Sequence, residues 1–305
     1  MRIHVLDLDF QHVGQSVAAF VAEGPEGLAL IECGPTSTLP ALEAALQGLG
    51  AKKSDIRHLF LSHIHFDHAG AAWAFAQAGT RVYVHPKGLP HLAAPEKLYN
   101  SAKMIYGEDM DRLWGPMHPI PEAQLYAPAH GESILAGGLR FTAWHTPGHA
   151  VHHIAWQLES EAGGAPPLLF TGDVAGVKIG EGPVAPPCPP PDIHLESWLE
   201  SIQLMRDLPV ESLYLTHFGL IHNKSAHLDD LESELHAWAN WMKPYAMEGT
   251  DPALITPLFR DFVDDRYEKA GLGTAARQRY ETANPAFMSV AGLLRYWKKV
   301  LYRPV

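Results

Sequence analysis

The chain has 305 residues, 47% of them hydrophobic and 19% charged, enough to bury a substantial core in one large domain with an addition. Lys and Arg number 23 against 34 Asp and Glu, and the net charge of -11, unrelieved by any basic run, excludes nucleic acid as an expected partner. Two cysteines, Cys33 and Cys188, exclude a disulfide framework, and no stretch approaches the roughly 18 apolar residues of a membrane span, so we expect a cytoplasmic protein without membrane contact.

The first residues, MRIHVLDLDFQHVG, alternate apolar and polar as a strand does and lack the uninterrupted apolar core of a signal peptide. QSVAAFVA (15–22) and LALIEC (28–33) read as further strands, with Gly24-Pro25 and Gly34-Pro35 as turns. Leu39, Leu42, Leu46 and Leu49 fall at helical spacing and stop at Gly50; IRHLFLS then reads as a buried strand. AGAAWAFAQAG predicts a small-residue helix and RVYVH another strand, so strand and helix alternate as in α/β proteins. Residues 86–128 break that rhythm: they are Pro-punctuated, rich in Tyr, Met and Trp, and long enough to imply a purpose. Strands resume at GLRFTAWHT, HIAWQLE and PLLFTGD; GEGPVAPPCPPPD (180–192) is too Pro-dense for helix or ladder and predicts a stiff extended loop. HLESWLESIQLMRDLP predicts a helix and SLYLTHFG a strand. We divide the chain into a domain over 1–224 and a helical extension over 225–305, where Leu228, Leu231, Leu235, Trp238 and Met242 share one face and FMSVAGLLRYWKKVLY closes the chain.

The chemistry concentrates in LFLSHIHFDHAG (59–70). His63 and His65 stand two apart at a strand end and so point to one side, and Asp67 and His68 follow where the chain turns into a helix. The chain has 19 histidines, so histidine alone means little; four candidate ligands converging after one strand mean more. Imidazole and carboxylate suit zinc, and also iron or manganese. Three later stretches also place a polar residue past an apolar strand: TAWHTPGHA with His149, LLFTGD with Asp173 and LYLTH with His217.

The set His63, His65, Asp67, His68, His149, Asp173 and His217 resembles the complete ligand signature of the metallo-β-lactamase-fold hydrolases, in motif order over about residues 1–222. The resemblance implies an α/β fold, a four-layer αβ/βα sandwich with the metals at its edge. It also implies two divalent ions, zinc first and iron or manganese as alternatives. One ion would be held by His63, His65 and His149, the other by Asp67, His68 and His217, with Asp173 bridging. It further implies hydrolysis by metal-bridging hydroxide, with Asp67 both ligand and proton carrier. Glu32, in LIECG, stands where that family more often has Asp.

The resemblance implies a glyoxalase-II-like or lactonase-like branch, although the chain departs from the pattern of each. Metallo-β-lactamases generally lack the bridging aspartate that Asp173 supplies; after His217 the chain has Phe218 and Gly219 instead of the glyoxalase-II continuation; and Val174, Ala175 and Gly176 follow Asp173 where lactonases often have a tyrosine. Leu98, Tyr99, Met104, Ile105, Tyr106, Met110, Leu113, Trp114 and Met117 form an apolar, adaptable set that either lines a pocket or packs on the core or a dimer partner. We take Tyr99, Tyr106, Met110, Trp114 and His222 as candidate substrate contacts. His145, His152 and His153 are candidates for supporting the ligands, with an ordinary structural histidine as the alternative. The expected activity is cleavage of an ester, thioester or lactone of a small, fairly apolar molecule by a monomer or homodimer. Phosphodiester hydrolysis on the same metals, or an iron-binding redox or regulatory role, are the alternatives.

Overall fold

The computed structural model describes residues 1–161, 163 and 165–301. Among the described residues, twelve strands form two mixed sheets of six. The first contains β1 (Arg2–Asp7), β2 (Ala18–Gly24), β3 (Gly27–Ile31), β4 (Ile56–Phe60), β5 (Arg81–Tyr83) and β6 (Leu125–Tyr126), in that spatial order. The second runs from β7 (Ser133–Ala136) through β8 (Leu139–His145), β9 (Ile154–Ser160), β10 (Leu168–Phe170) and β11 (Ser212–Leu215) to β12 (Gly219–Ile221). β3 to β6 pair in parallel, as do β10 and β11; the other neighbours are antiparallel.

The helices are α1 (Leu39–Gly48), α2 (Phe66–Ala69), α3 (Ala72–Gln77), α4 (Leu89–Ala93), α5 (Glu96–Tyr106), α6 (Met110–Leu113), α7 (Leu195–Asp207), α8 (Lys224–Glu248), α9 (Pro252–Lys269), α10 (Thr274–Ala283) and α11 (Ala286–Leu301). No described helix is long and apolar enough to cross a membrane.

The strand period of two divides the apolar residues among three cores. In β2, Ala18, Phe20 and Ala22 face the second sheet, whereas Ala19 and Val21 face α1 and α3. Phe170 and Trp156 enter the space between the sheets, while their neighbours Leu169 and Ala155 turn to the helices beyond. Helix, sheet, sheet and helix therefore stack as the expected four layers. Phe60 sits at the centre, stacked on Phe141 at 4.0 Å and on Tyr83 at 4.5 Å, with Trp156 edge-on at 4.9 Å. Burying a ring of this kind contributes about 1.5–3 kcal/mol.

Hydrogen bonds also tie the sheets together where β4 and β11 end. Ile154 N–H donates to the Ser62 carbonyl at 2.7 Å, Ala18 N–H to Thr216 at 2.8 Å, and Trp156 Nε1–H to Leu61 at 2.9 Å. The loops leaving the strands at this edge are thereby held in register.

Two segments differ from the sequence expectation. Residues 86–128 contain α4, α5, α6 and the two-residue edge strand β6; Pro90 and Pro95 stand where helices begin and a missing N–H costs nothing. The strand β7 was not visible because ESILAGG lacks a run of alternation. The Pro-rich stretch 180–192 contains no helix or strand, as expected.

Candidate metal centre

All seven candidate ligands meet at the tied edge. His63 and His65 leave β4, Asp67 and His68 lie on α2, His149 lies in the β8–β9 loop, Asp173 follows β10 and His217 follows β11. They fall into two groups, His63, His65, His149 and Asp173, and Asp67, His68 and His217; within each, one ligand atom per residue lies within 4.8 Å of the others. His65 Nδ1 lies 2.8 Å from His63 Nε2 and 3.1 Å from His149 Nε2. Asp173 joins the groups: its Oδ2 is 3.3 Å from His149 Nε2, and its Oδ1 is 3.2 Å from both His68 Nε2 and His217 Nε2. Asp67 Oδ2 completes the second group, 3.6 Å from His68 Nε2 and 3.5 Å from His217 Nε2.

The far nitrogens show why these rings present their inner ones. His149 Nδ1 donates to the Pro187 carbonyl at 2.8 Å, His217 Nδ1 to Ser16 at 2.6 Å and His68 Nδ1 to Glu32 Oε1 at 3.1 Å; His63 Nδ1 meets Ser62 Oγ at 2.9 Å. A proton fixed on Nδ1 leaves Nε2 facing inward, with a free lone pair on a neutral ring such as His149 and one exposed at His68 and His217 once the inner proton is lost. Glu32 also accepts from Ser62 N–H at 3.3 Å, so the longer side chain still reaches His68 from its turn. It does so with a left-handed backbone, φ +58°, at a fully buried position, a conformation that costs an ordinary residue about 1–3 kcal/mol.

Gly172 sets the position of Asp173. Its φ is +50°, and a Cβ there would collide with the Ser62 side chain and come within 2.7 Å of His153 Nε2, so only glycine permits the approach. His153 uses that same nitrogen to accept from Asp173 N–H at 3.2 Å, and its Nδ1 contacts Thr146 Oγ1 at 2.8 Å.

Residues that would hold a cation pass a direct test here. His68 Nε2, His217 Nε2 and Asp173 Oδ1 are buried atoms with no hydrogen-bond partner among the described residues, a costly arrangement unless something else binds them. Burial, with repulsion from neighbouring imidazoles, holds His63 and His149 below the usual range and His65 down at about 3, so these three are neutral and ligand-competent. Burial would lower His68 and His217 also, but the Asp173 and Asp67 carboxylates outweigh it and raise both, His217 to about 10. Two buried carboxylates thus demand positive charge, which divalent ions bound to imidazole and carboxylate would supply.

A cleft of about 790 Å³ opens over His65, Asp67, His149 and Asp173. Tyr106 and Trp114 line it, as do Leu98, Ile105 and Leu113 of the same segment. The structure does not bring Tyr99, Met110 or His222 to its wall. Tyr99 Oη donates to Asp111 at 2.8 Å, Met110 is buried in the core under the first sheet, and His222 is exposed beyond β12. His145 packs against His85 at 4.3 Å with the rings tilted by 51°, outside the lining, whereas His152 faces the cleft with its ring 5.8 Å from that of His65, and burial pushes it down to about 2. The proline run 187–191 and Phe287 and Met288 of α11 complete the wall. Nothing in the local sequence marked the prolines or Met288 as neighbours of the ligands. Cys188 is buried beside α11, its thiol raised by burial, and is not among the lining residues.

A two-sheet sandwich that gathers histidines and aspartates from both sheets at one edge defines a class of metal-binding proteins, largely hydrolases. The chain belongs to the metallo-beta-lactamase superfamily, whose family model matches residues 13–217. It is similar to the metallo-beta-lactamase fold-containing protein ST1585 of Sulfurisphaera tokodaii, with 27% identity over 58% of this chain and 67% of that one. It is also similar to the lactamase-like protein nscB of Aspergillus fumigatus, 27% identical over 92% of this chain and 68% of that one. A shorter match, 32% identical over 31% of this chain and 25% of the other, is to an atrochrysone carboxyl ACP thioesterase of Passalora fulva. Among solved structures, the metallo-beta-lactamase family protein TTHA1429 of Thermus thermophilus superposes with a TM-score of 0.66 at 21% identity, over 98% of this chain and 93% of that one; at that identity the likeness concerns the fold.

Proposed function

We propose that the protein is a dinuclear metal-dependent hydrolase, zinc its first candidate metal, that cleaves an ester, thioester or lactone bond of a small, fairly apolar molecule. The observation that carries this reading is Asp173, whose two oxygens face different ligand groups at the floor of an apolar-walled cleft. Bound there, two divalent ions would activate water near neutral pH and polarise a carbonyl oxygen.

The chain's own residues supply the rest. Asp67 is the more exposed of the two carboxylates, 19% against 6% for Asp173, and opens onto the cleft, where it can take a proton from attacking water and return it to a leaving group. Tyr106 faces the same cleft, its phenol held protonated by burial and by the Asp67 charge, so it can donate a hydrogen bond to a substrate oxygen. Trp114, stacked on Phe10 at 5.3 Å and edge-on to Tyr106 at 5.2 Å, gives an aromatic surface for an acyl or aryl group and keeps bulk water off the bond to be cut. The thioesterase segment match favours keeping thioesters among the candidates.

The test is a panel of lactones, thioesters, aryl esters and phosphodiesters on metal-quantified protein. We expect turnover of a carbonyl substrate that disappears on chelation and returns with zinc. A single stoichiometric iron with no turnover of any carbonyl substrate would overturn the reading.

A further inference from the structure

Outside the ligand set, the charged groups lining the cleft are Lys87, Lys97, Arg112, Asp109 and Asp192. Arg112 is already neutralised, its guanidinium 2.9 Å from Asp109. Asp192 lies on the proline-rich wall, 3.8 Å from the His152 ring. Lys87, just before α4, and Lys97, on α5, make no ion pair among the described residues, although carboxylates outnumber cations on this chain by 34 to 23. Both are exposed. Lys87 and Lys97 are thus, among the described residues, the cleft cations without a carboxylate partner in a chain of net charge -11, and they can attract an anionic group to their side of the cleft.

We propose that Lys87 and Lys97 bind an anionic group of the substrate, a carboxylate or a phosphate, so that the true substrate is an anionic ester, thioester or lactone with an apolar body lying along Trp114. This deepens the hydrolase reading and rests on it for the bond that is cut. The reading divides the cleft by chemistry: His65, Asp67, His149 and Asp173 surround the reacting bond, the aromatic wall takes the apolar body, and the α4–α5 side takes the charge. The lysines make no contact with the ligand set, so they act on recognition and leave the bond-breaking groups untouched.

Two matched pairs test it on zinc-loaded full-length protein: a monoaryl adipate with its methyl ester, and hexanoyl-CoA with the neutral N-acetylcysteamine thioester. We expect the anionic member of one pair to be favoured about tenfold in kcat/KM, chiefly through KM, with the preference shrinking as salt rises. The double variant Lys87→Gln, Lys97→Gln should lose that preference while the neutral partner is cleaved as before. Preference within the adipate pair identifies a carboxylate, and preference within the CoA pair a phosphate. Binding of free adipate and CoA by calorimetry gives a readout independent of turnover: salt-sensitive binding lost in the double variant supports the anion site even if no ester is cut and the hydrolase reading fails. Equal treatment of charged and neutral members with no binding of either anion, or a double variant with unchanged preference and binding, would overturn the proposal.

Discussion

Replacing Glu32 by alanine removes one carboxylate outside the ligand set, yet it should weaken one side of the centre. Glu32 Oε1 accepts from His68 Nδ1 at 3.1 Å and Oε2 from Ser62 N–H at 3.3 Å, both at buried positions. A buried hydrogen bond to a charged group is worth about 1.5–3 kcal/mol. Charged fully to the orientation of His68, that corresponds to about 10–100-fold in affinity for an ion at Asp67, His68 and His217, the range typical of such supporting contacts. His63 is oriented by Ser62 and His149 by the Pro187 carbonyl, so an ion held by His63, His65 and His149 should loosen far less. Glu32→Gln, which keeps the shape and loses the charge, should fall between. Glu32→Gly controls for backbone strain, since it relieves the φ of +58° while still losing the carboxylate. The assay is metal content by mass spectrometry during titration with a chelator, beside a melting curve to confirm folding. Glu32→Ala protein that holds both ions as tightly as the parent, or loosens both equally, would refute the division of labour argued here.

Proton release should also separate the two groups. His63, His65 and His149 are already neutral, whereas carboxylates hold His68 and His217 protonated, so only uptake at the second group should expel protons, giving a calorimetric heat that depends on the buffer. The metal-free fold should show the matching trend: His217 is raised from about 6.5 to about 10, so its contribution is complete below pH 6.5 and disappears as pH rises through about 10, read as a falling melting temperature. Gly172→Ala should cost several kcal/mol or displace Asp173, because its Cβ has no space beside Ser62 and His153; folded protein with normal metal content would show that the loop yields more readily than its packing implies.

The ligands were legible because each follows an apolar strand, and strand ends at one edge of a sandwich converge whatever the intervening sequence. His153 was harder to assign. It lies in the same HAVHHI stretch as His149, but only the fold shows that it holds Asp173 N–H while its neighbour His152 faces the cleft. The weakest reading concerned residues 86–128, where Leu98, Tyr99, Ala102, Ile105 and Tyr106 do fall at helical spacing along α5, but the surrounding prolines and the single buried residue, Ala102, drew attention away from a helix. Met110 and Trp114 had the same composition signal and both pack in the core beneath the first sheet, but only Trp114, at the end of the short helix, also reaches the cleft wall. Lys87 and Lys97 gave no signal at all, since an exposed lysine gains meaning only from the cavity it borders.

The C-terminal helices bear on the metal centre through a short physical chain. α11 lies against the proline-rich loop so closely that a Cβ at Gly292 would run into the Cys188 carbonyl; Cys188 N–H donates to Ser289 Oγ at 3.2 Å, and Lys299 Nζ donates to the Pro191 carbonyl at 2.9 Å. The same loop offers the Pro187 carbonyl to His149 Nδ1. The carbonyl that fixes one ligand ring is therefore positioned by backbone packing against a helix more than a hundred residues later. Proline makes this coupling stiff, because a chain with fixed φ cannot absorb a displacement locally. It follows that α11 acts on the centre in two ways, as the cleft wall through Phe287 and Met288 and as the support of His149 through Ser289 and Gly292, and that these effects belong to successive turns of one helix.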